Sequence, residues 1–243
     1  MAERHMLVVE NITKHFGGVA ANEDISFSMD EGKIYGLIGP NGAGKTTLFN
    51  CLTGALKADR GTVQFKGKNI NGMSPQRILR EGIARTFQIT KTFHTMSVLE
   101  NVMVGAFFNY PRVEDARKKA LEIIKFCDLE DKVDFLGDQL TVANRKRVEI
   151  ARALATEPKL LMLDEAMAGL NPSEIQEATQ LVRSIRDRGI TILLIEHIME
   201  VVLPLSDWII VMDQGKLLTQ GVREEVVNDQ RVISAYLGVS HHA

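Results

Sequence analysis

The sequence predicts an α/β fold with a mainly parallel sheet, and two patterns along the chain support this prediction. Short apolar runs alternate with helical patterns in the first and last thirds, which is typical of a parallel sheet covered by helices on both faces. Between them, residues 90–158 have mainly helical periodicity. We therefore expect one domain over residues 1–243, with a core formed by residues 1–89 and 159–243 and a helical insertion over residues 90–158.

The first third of the chain is expected to contain mainly short strands. Residues 33–38 form a continuous apolar run, as a buried strand does, whereas residues 11–21 are polar and glycine-containing and predict a loop. A helix is expected to begin at Ser74-Pro75, because proline is favoured at the first helical position. The predicted strands of this part lie at residues 6–10, 25–29, 33–38, 62–65 and 82–88.

The last third predicts the remaining core strands with helices between them. Residues 160–164 and 191–195 are short apolar runs, and the helix between them should end near Gly189. The other predicted elements are a helical stretch around residues 201–205, paired strands at residues 208–212 and 216–220, and a helical tail to residue 237.

Composition excludes several classes of protein. The net charge of −2 provides no basic excess for neutralising phosphates, so no nucleic-acid partner is expected. The two cysteines, Cys51 and Cys127, are too few for a disulfide framework and are interpreted as small apolar core residues in a reducing compartment. Since no apolar run approaches the roughly 18–20 residues that span a bilayer, any membrane role should come through a partner.

One segment matches the phosphate-binding pattern G-x-x-x-x-G-K-[ST] between a predicted strand and a predicted helix. Its glycines allow consecutive backbone N–H groups to converge on phosphate oxygens, and the following helix directs its positive end at the same anion. Lys45 would contact the β- and γ-phosphates, and the Thr46 hydroxyl would hold Mg²⁺. The segment is Gly39, Pro40, Asn41, Gly42, Ala43, Gly44, Lys45, Thr46 and Thr47. By itself it indicates a nucleoside triphosphate site, and a structural glycine turn is the alternative.

Polar residues at the ends of core strands extend this site. Asp164 ends a fully apolar strand and would orient Mg²⁺, and the adjacent Glu165 could act as a general base toward water. His197 and Gln88 also lie at predicted strand ends, where they could contact the γ-phosphate, the metal or the water. Phe16 could stack on the adenine. The alternatives are a solvated acidic turn, a structural histidine or glutamine and a core phenylalanine.

Together these motifs resemble the ATP-binding subunit of an ABC transporter, over nearly the whole chain. The resemblance implies a P-loop NTPase with a RecA-like core, an antiparallel β subdomain and a helical subdomain that carries the signature motif. It also implies that Glu165, His197 and Gln88 are catalytic, and that Thr46, Gln88 and Asp164 hold Mg²⁺. Two such subunits would form a head-to-tail dimer around two ATP molecules, whose hydrolysis drives a membrane partner.

The signature segment departs from the family pattern Leu-Ser-Gly-Gly-Gln. The resemblance implies that Thr141, Val142, Ala143 and Asn144 contact the nucleotide of the partner subunit. Ala143 replaces a glycine, so its methyl group is expected either to obstruct close backbone approach or to strain a position that requires φ > 0. We expect weaker hydrolysis in the closed dimer as a result. The basic residues 145–147 oppose the helix dipole and are interpreted either as facing phosphate or a protein partner, or as a solvated basic surface.

Several segments are similar to the larger ATPase subunit of importers of branched-chain (hydrophobic) amino acids. These segments are residues 85–88, 96–102, 168–172, 195–197 and 232–238, together with Phe93. This similarity implies a second ATPase subunit, two permease subunits and, indirectly, an extracytoplasmic solute-binding protein. It places the chain on the cytoplasmic side of the cell membrane as a peripheral subunit. Residues 93–104 are expected near the permease contact, and Phe107-Phe108 is either a docking patch or part of the core.

Two alternatives remain open on the sequence. An ATPase subunit of a lipopolysaccharide-type exporter shares much of this pattern. A nucleotide-binding regulatory module with weak or no hydrolysis is consistent with the altered signature. A switch GTPase is disfavoured, because the sequence contains no Asn-Lys-x-Asp motif.

Overall fold

The computed structural model of the protein describes residues 5–86 and 92–237. The strands are β1 (Leu7–Phe16), β2 (Val19–Met29), β3 (Ile34–Ile38), β4 (Arg60–Phe65), β5 (Lys68–Asn69), β6 (Ile83–Arg85), β7 (Leu160–Asp164), β8 (Thr191–Ile195), β9 (Trp208–Asp213) and β10 (Lys216–Gly221). The helices are α1 (Lys45–Leu52), α2 (Pro75–Glu81), α3 (Val98–Ala106), α4 (Val113–Phe126), α5 (Val142–Leu154), α6 (Pro172–Asp187), α7 (Met199–Leu205), α8 (Arg223–Asn228) and α9 (Gln230–Leu237).

A six-stranded sheet forms the centre of the core, in the order β10-β9-β3-β8-β7-β6. The pairs among β9, β3, β8, β7 and β6 are parallel, and β10 is antiparallel to β9. Every residue of β3, β7 and β8 is buried, because both faces of the sheet are covered. One face packs in an apolar cluster with helices α3–α7, and the other packs in a cluster with α1 and with strands β1, β2 and β4 of the second sheet. The predicted mainly parallel core is confirmed, and its parallel order brings the carboxyl ends of β3, β7 and β8 to one edge.

A second, antiparallel sheet has the order β2-β1-β4-β5 and confirms the predicted β subdomain. The prediction of a loop over residues 11–21 was wrong, since β1 and β2 continue to a tight turn at Gly17-Gly18. Polar residues of this hairpin such as Glu10, Asn11 and His15 are exposed, so their polarity does not interrupt the strands. Register shifts along the hairpin also interrupt the alternation of polar and apolar residues that identifies a strand in a sequence.

Helices α3, α4 and α5 lie between β6 and β7 in the chain and pack on one another in a large apolar cluster. The contact of α3 with α5 is close, because a Cβ built on Gly105 would lie 2.0 Å from the carbonyl oxygen of Arg152. Ser97 and Glu100 form a capping box that fixes the start of α3. The segment confirms the predicted helical subdomain, and α5 carries the signature residues.

Both cysteines are buried free thiols, as the sequence predicts. Burial raises the pKa of Cys51 to about 11 and that of Cys127 to about 12, so neither is an activated thiolate. Within the two described ranges, no helix has the length and apolar character needed to cross a membrane.

Candidate nucleotide-binding site

The phosphate-binding segment connects β3 to α1, as its pattern predicts. Gly42 and Gly44 have φ values of 82° and 95°, which favour glycine. A Cβ on Gly44 would lie 2.2 Å from the carbonyl oxygen of Ala21, so the loop packs directly against β2. The Nδ2 of Asn22 donates to the Gly44 carbonyl at 3.1 Å and supports the loop from the same strand. Sequence reasoning missed Asn22, because it directly follows the predicted loop and belongs to no motif.

The side chain of Lys45 is held inside the phosphate-binding loop. Its Nζ donates to the carbonyl oxygens of Gly39 at 2.7 Å and Pro40 at 2.9 Å. Burial lowers the pKa of Lys45, while the nearby carboxylates of Glu165 and Asp164 oppose that change. The ammonium group of Lys45 therefore lies within the loop that is expected to bind phosphate.

A cavity of about 320 Å³ lies over the loop and brings together groups from three core strands. It is lined by residues 41–47, by residues 19–21 of β2, and by Glu165 and His197. The polar ends of β7 and β8 therefore reach the phosphate loop, as the sequence predicts. Gln88, the third predicted catalytic residue, lies outside the described residues.

Asp164 ends β7 as a buried carboxylate, and neither of its side-chain oxygens has a hydrogen-bond partner among the described residues. The nearest cation is Arg85, whose Nη2 lies 3.6 Å from Oδ2. Burial raises the pKa of Asp164, and the charge of Arg85 opposes this. A buried carboxylate without hydrogen-bond donors suits a cation ligand, so the donor set fits the predicted Mg²⁺ role of Asp164.

Arg85 is a further residue beside the site that sequence reasoning did not identify. Its Nη1 donates to Asn50 Oδ1 at 2.7 Å and to Thr53 Oγ1 at 3.1 Å, both in or next to α1. Arg85 therefore connects the carboxylate of Asp164 to the helix that follows the phosphate loop.

Glu165 and His197 form the closest polar pair of the cavity. The Nε2 of His197 lies 2.6 Å from Oε1 of Glu165. Glu165 has a φ of 52°, which is uncommon for a residue other than glycine. Its backbone N–H donates to the carbonyl of Ile195 at 2.9 Å, which fixes the end of β7 against β8. A carboxylate and an imidazole are thus held together at the cavity that the phosphate loop lines.

The signature residues lie at the start of α5, away from this cavity. Thr141 caps the helix by accepting from the backbone N–H of Asn144 at 3.3 Å, and Val142 is exposed. Ala143 is the second residue of the helix and has no positive φ, so the predicted strain at this position was wrong. Helix α5 begins at Val142, so Ala143 has helical dihedral angles, which suit alanine.

The other predicted residues are placed as follows. Phe16 lies exposed at the turn of the β1–β2 hairpin, with Lys14 Nζ 5.5 Å from its ring. It does not line the cavity over the phosphate loop. Two of the basic residues of α5 make contacts within the chain: Lys146 donates to the Glu165 carbonyl, and Arg147 pairs with Glu177.

Comparison with known proteins identifies the family. A family model described as "ABC transporter" matches residues 22–168. The chain belongs to the ABC transporter family of ATP-binding cassettes. A second model, described as "Branched-chain amino acid ATP-binding cassette transporter", matches residues 216–242 of this cassette. The predicted family and the predicted P-loop NTPase fold are both confirmed, and members of this family couple ATP hydrolysis to transport.

The cassette is similar to relatives and solved structures over nearly its whole length. It is 40% identical to the high-affinity branched-chain amino acid transport ATP-binding protein LivG of Salmonella typhimurium, over 96% of this chain and 98% of the relative. The crystal structure of a nucleotide-free ATP-binding cassette from an ABC transporter has a TM-score of 0.89 at 35% identity, covering 96% of this chain and 98% of that chain. A dimeric post-hydrolysis cassette bound to ADP and phosphate has a TM-score of 0.81 at 26% identity, covering 90% and 99%.

Proposed function

We propose that this cassette is the ATP-hydrolysing subunit of an importer for branched-chain or other hydrophobic amino acids. The observation that carries the hydrolytic part is the Glu165–His197 pair, 2.6 Å apart, at a cavity lined by the phosphate loop. The similarity to LivG supports the solute class and favours import over lipopolysaccharide export.

In this proposal the phosphates of ATP bind over residues 39–47, and Lys45 moves from loop carbonyls to phosphate oxygens. Thr46, Gln88 and Asp164 would hold Mg²⁺, which supplies positive charge against the phosphates. The described residues contain no cluster of three His, Cys, Asp or Glu side chains for a metal. This agrees with a cation held largely by phosphate and water rather than by a protein cage.

Glu165 would accept a proton from the attacking water. With Nε2 protonated, His197 donates to Oε1 and restrains that oxygen. The other oxygen then remains directed at the water. Phe16 would stack on the adenine from the hairpin turn, where its ring is exposed.

A second ATPase subunit would complete each site. Thr141, Val142, Ala143 and Asn144 lie at the start of α5, outside their own cavity, where backbone N–H groups and the helix dipole favour an anion. These residues are therefore available to the nucleotide of a partner. The similarity to a dimeric cassette holding ADP and phosphate supports this arrangement.

The permease subunits would dock on the face of the cassette that carries the helical subdomain. A cavity of about 400 Å³ separates α2 from α3 and α5, and its walls include Ile78, Leu79 and Phe108. Phe93, Val104 and Phe107 are exposed nearby on the same subdomain. Through this contact the cassette would lie on the cytoplasmic side of the cell membrane, and it would reach the extracytoplasmic binding protein only through the permeases. No nucleic-acid partner is proposed.

The test is ATP turnover and solute uptake by the complex that contains the full chain. Replacing Glu165 by glutamine should leave ATP binding intact and abolish most turnover, and leucine uptake into vesicles should be lost in parallel. Equal turnover of the wild type and E165Q would refute hydrolysis by this site. That result would favour a nucleotide-binding regulatory module, to which the altered signature residues Ala143 and Asn144 also point.

A further inference from the structure

The loop that follows β7 is held by a lysine from the signature helix of the same chain. Lys146 lies in the second turn of α5, and its Nζ donates to the backbone carbonyl of Glu165 at 2.6 Å. Its side chain is half-buried, and the acidic groups of Glu196, Glu149 and Glu165 lie around it. The ammonium group of Lys146 is half-buried and donates to a backbone carbonyl. This is a specific contact rather than part of a solvated basic surface.

Several hydrogen bonds hold the loop that contains Glu165. Its N–H donates to the carbonyl of Ile195 at 2.9 Å, and the N–H of Met167 donates to Oε1 of the buried Glu196 at 2.8 Å. Both of these partners lie at or directly after the end of β8. The carbonyl of Glu165 accepts from the Ala168 N–H at 3.3 Å within the loop, and from Lys146, which reaches it from α5.

The conformation of Glu165 gives the hydrogen bond from Lys146 a physical role. With φ at 52°, the residue occupies the left-handed region, which is strained for a residue other than glycine. Such a conformation persists only where surrounding contacts impose it. The bond from Lys146 acts on the carbonyl of the strained residue itself, and so contributes directly to where the Glu165 side chain points.

We propose that Lys146 is a positioning residue for Glu165, which holds the catalytic carboxylate in its left-handed backbone conformation beside His197. This deepens the proposed function and rests on it, because it assumes that Glu165 acts on the attacking water. It also places the lysine on the same helix as the residues proposed to meet the partner's nucleotide, two positions after Asn144.

The test is steady-state ATP hydrolysis by the full chain assembled with its permease subunits. Lys146→Gln should lower kcat about 10- to 100-fold, because misplacement of a catalytic group by about 1 Å has effects of this size. The KM for ATP should change less than twofold, since no phosphate contact is removed. Lys146→Arg should restore most of kcat, because a guanidinium can still donate to the carbonyl. A loss of kcat that arginine does not restore, or a rise in KM with unchanged kcat, would overturn the proposal.

Glu177→Gln is the matched control. It breaks a different polar contact of α5, the pair between Arg147 and Glu177, without touching the loop of Glu165. It should leave kcat unchanged. A loss equal to that of K146Q would mean that any loosening of α5 has the same effect, which contradicts a specific role for Lys146.

Measuring the effect of K146Q in the E165Q variant separates this proposal from the proposed function. If Lys146 acts through the carboxylate, K146Q should cause no further loss of the residual rate in E165Q. The same fold loss in both backgrounds would refute the positioning role while leaving the ATPase assignment intact. Full activity of E165Q itself would instead refute the proposed function.

Discussion

Replacing Asp164 by asparagine should stabilise the nucleotide-free protein while destroying its activity. The side chain of Asp164 is 1% exposed, and in the part of the chain that the structure describes both of its carboxylate oxygens lack hydrogen-bond donors. Arg85 lies 3.6 Å away and offsets only part of the cost of burying this charge. Asparagine has nearly the same shape and removes the charge, so the folded state loses a destabilising group.

The expected gain is about 1–2 kcal/mol. Leaving a buried polar group without partners costs about 1–3 kcal/mol, and more for a charge. The variant does not recover all of this, because the asparagine amide also needs partners and Arg85 loses its anion. For a chain of this size each kcal/mol changes Tm by roughly 2–4 °C. We therefore expect the Tm of D164N to exceed that of the wild type by about 2–8 °C.

The gain should depend on pH in a defined direction. Burial raises the pKa of Asp164 in the folded state, so the folded protein takes up this proton at a higher pH than the unfolded chain does. The cost of the charge is complete above the folded-state pKa and disappears as the pH falls through it. The stability advantage of D164N should therefore be largest at neutral pH and should shrink in acid.

The assay is thermal or denaturant unfolding of both proteins without nucleotide, at several pH values. Asp207→Asn is the control, since Oδ2 of Asp207 accepts from the Ile34 N–H at 2.8 Å and its charge is satisfied. This control should gain no stability. Adding ATP and Mg²⁺ should make the wild type more stable than D164N, because only the wild type gains binding energy. A D164N variant that is less stable than the wild type at neutral pH, or whose advantage grows in acid, would refute this reasoning.

Three further changes test other parts of the molecule. Gly105→Ala should destabilise the protein by about 1–3 kcal/mol in urea unfolding, because the new methyl group meets the Arg152 carbonyl at 2.0 Å; an unchanged midpoint would contradict the close packing of α3 and α5. Lys45→Ala should weaken ATP binding about 10- to 150-fold in calorimetry and abolish transport, as expected for a lost hydrogen bond between charged groups; unchanged affinity would contradict the site. Ala143→Gly should lower stability by about 0.5–1 kcal/mol, because glycine is unfavourable inside a helix. The ATPase rate of A143G in the complex tests the expected obstruction of the partner's nucleotide by the methyl group: a gain in rate would support it, and an unchanged rate would contradict it.

The most accurate predictions from the sequence concern features that depend on consecutive residues. The phosphate loop is one of them, because its glycines and Lys45 define a local backbone shape between a strand and a helix. The strand Thr191–Ile195 is another, with the same limits in the sequence prediction and in the structure. A strand buried on both faces needs a continuous apolar run, and such a run is visible without knowledge of its neighbours.

Predictions were poorer where a solvated surface or an irregular register determines the structure. The polar segment over residues 11–21 reads as a loop, yet most of it belongs to β1 and β2. Ala143 occupies a glycine position of the family motif, yet here the start of α5 gives it ordinary helical geometry. In both cases the backbone conformation follows from hydrogen bonds with neighbouring segments rather than from the residue type.

The fold class, the phosphate loop and the acids at the end of β7 could be predicted from consecutive residues of the sequence. How these groups meet depends on tertiary packing. The pairing of Glu165 with His197 joins residues 32 positions apart, and the contact of Lys146 with the Glu165 carbonyl joins residues 19 positions apart. Both depend on the order of strands in the sheet and on the packing of α5 against it, and neither of these is encoded in local periodicity.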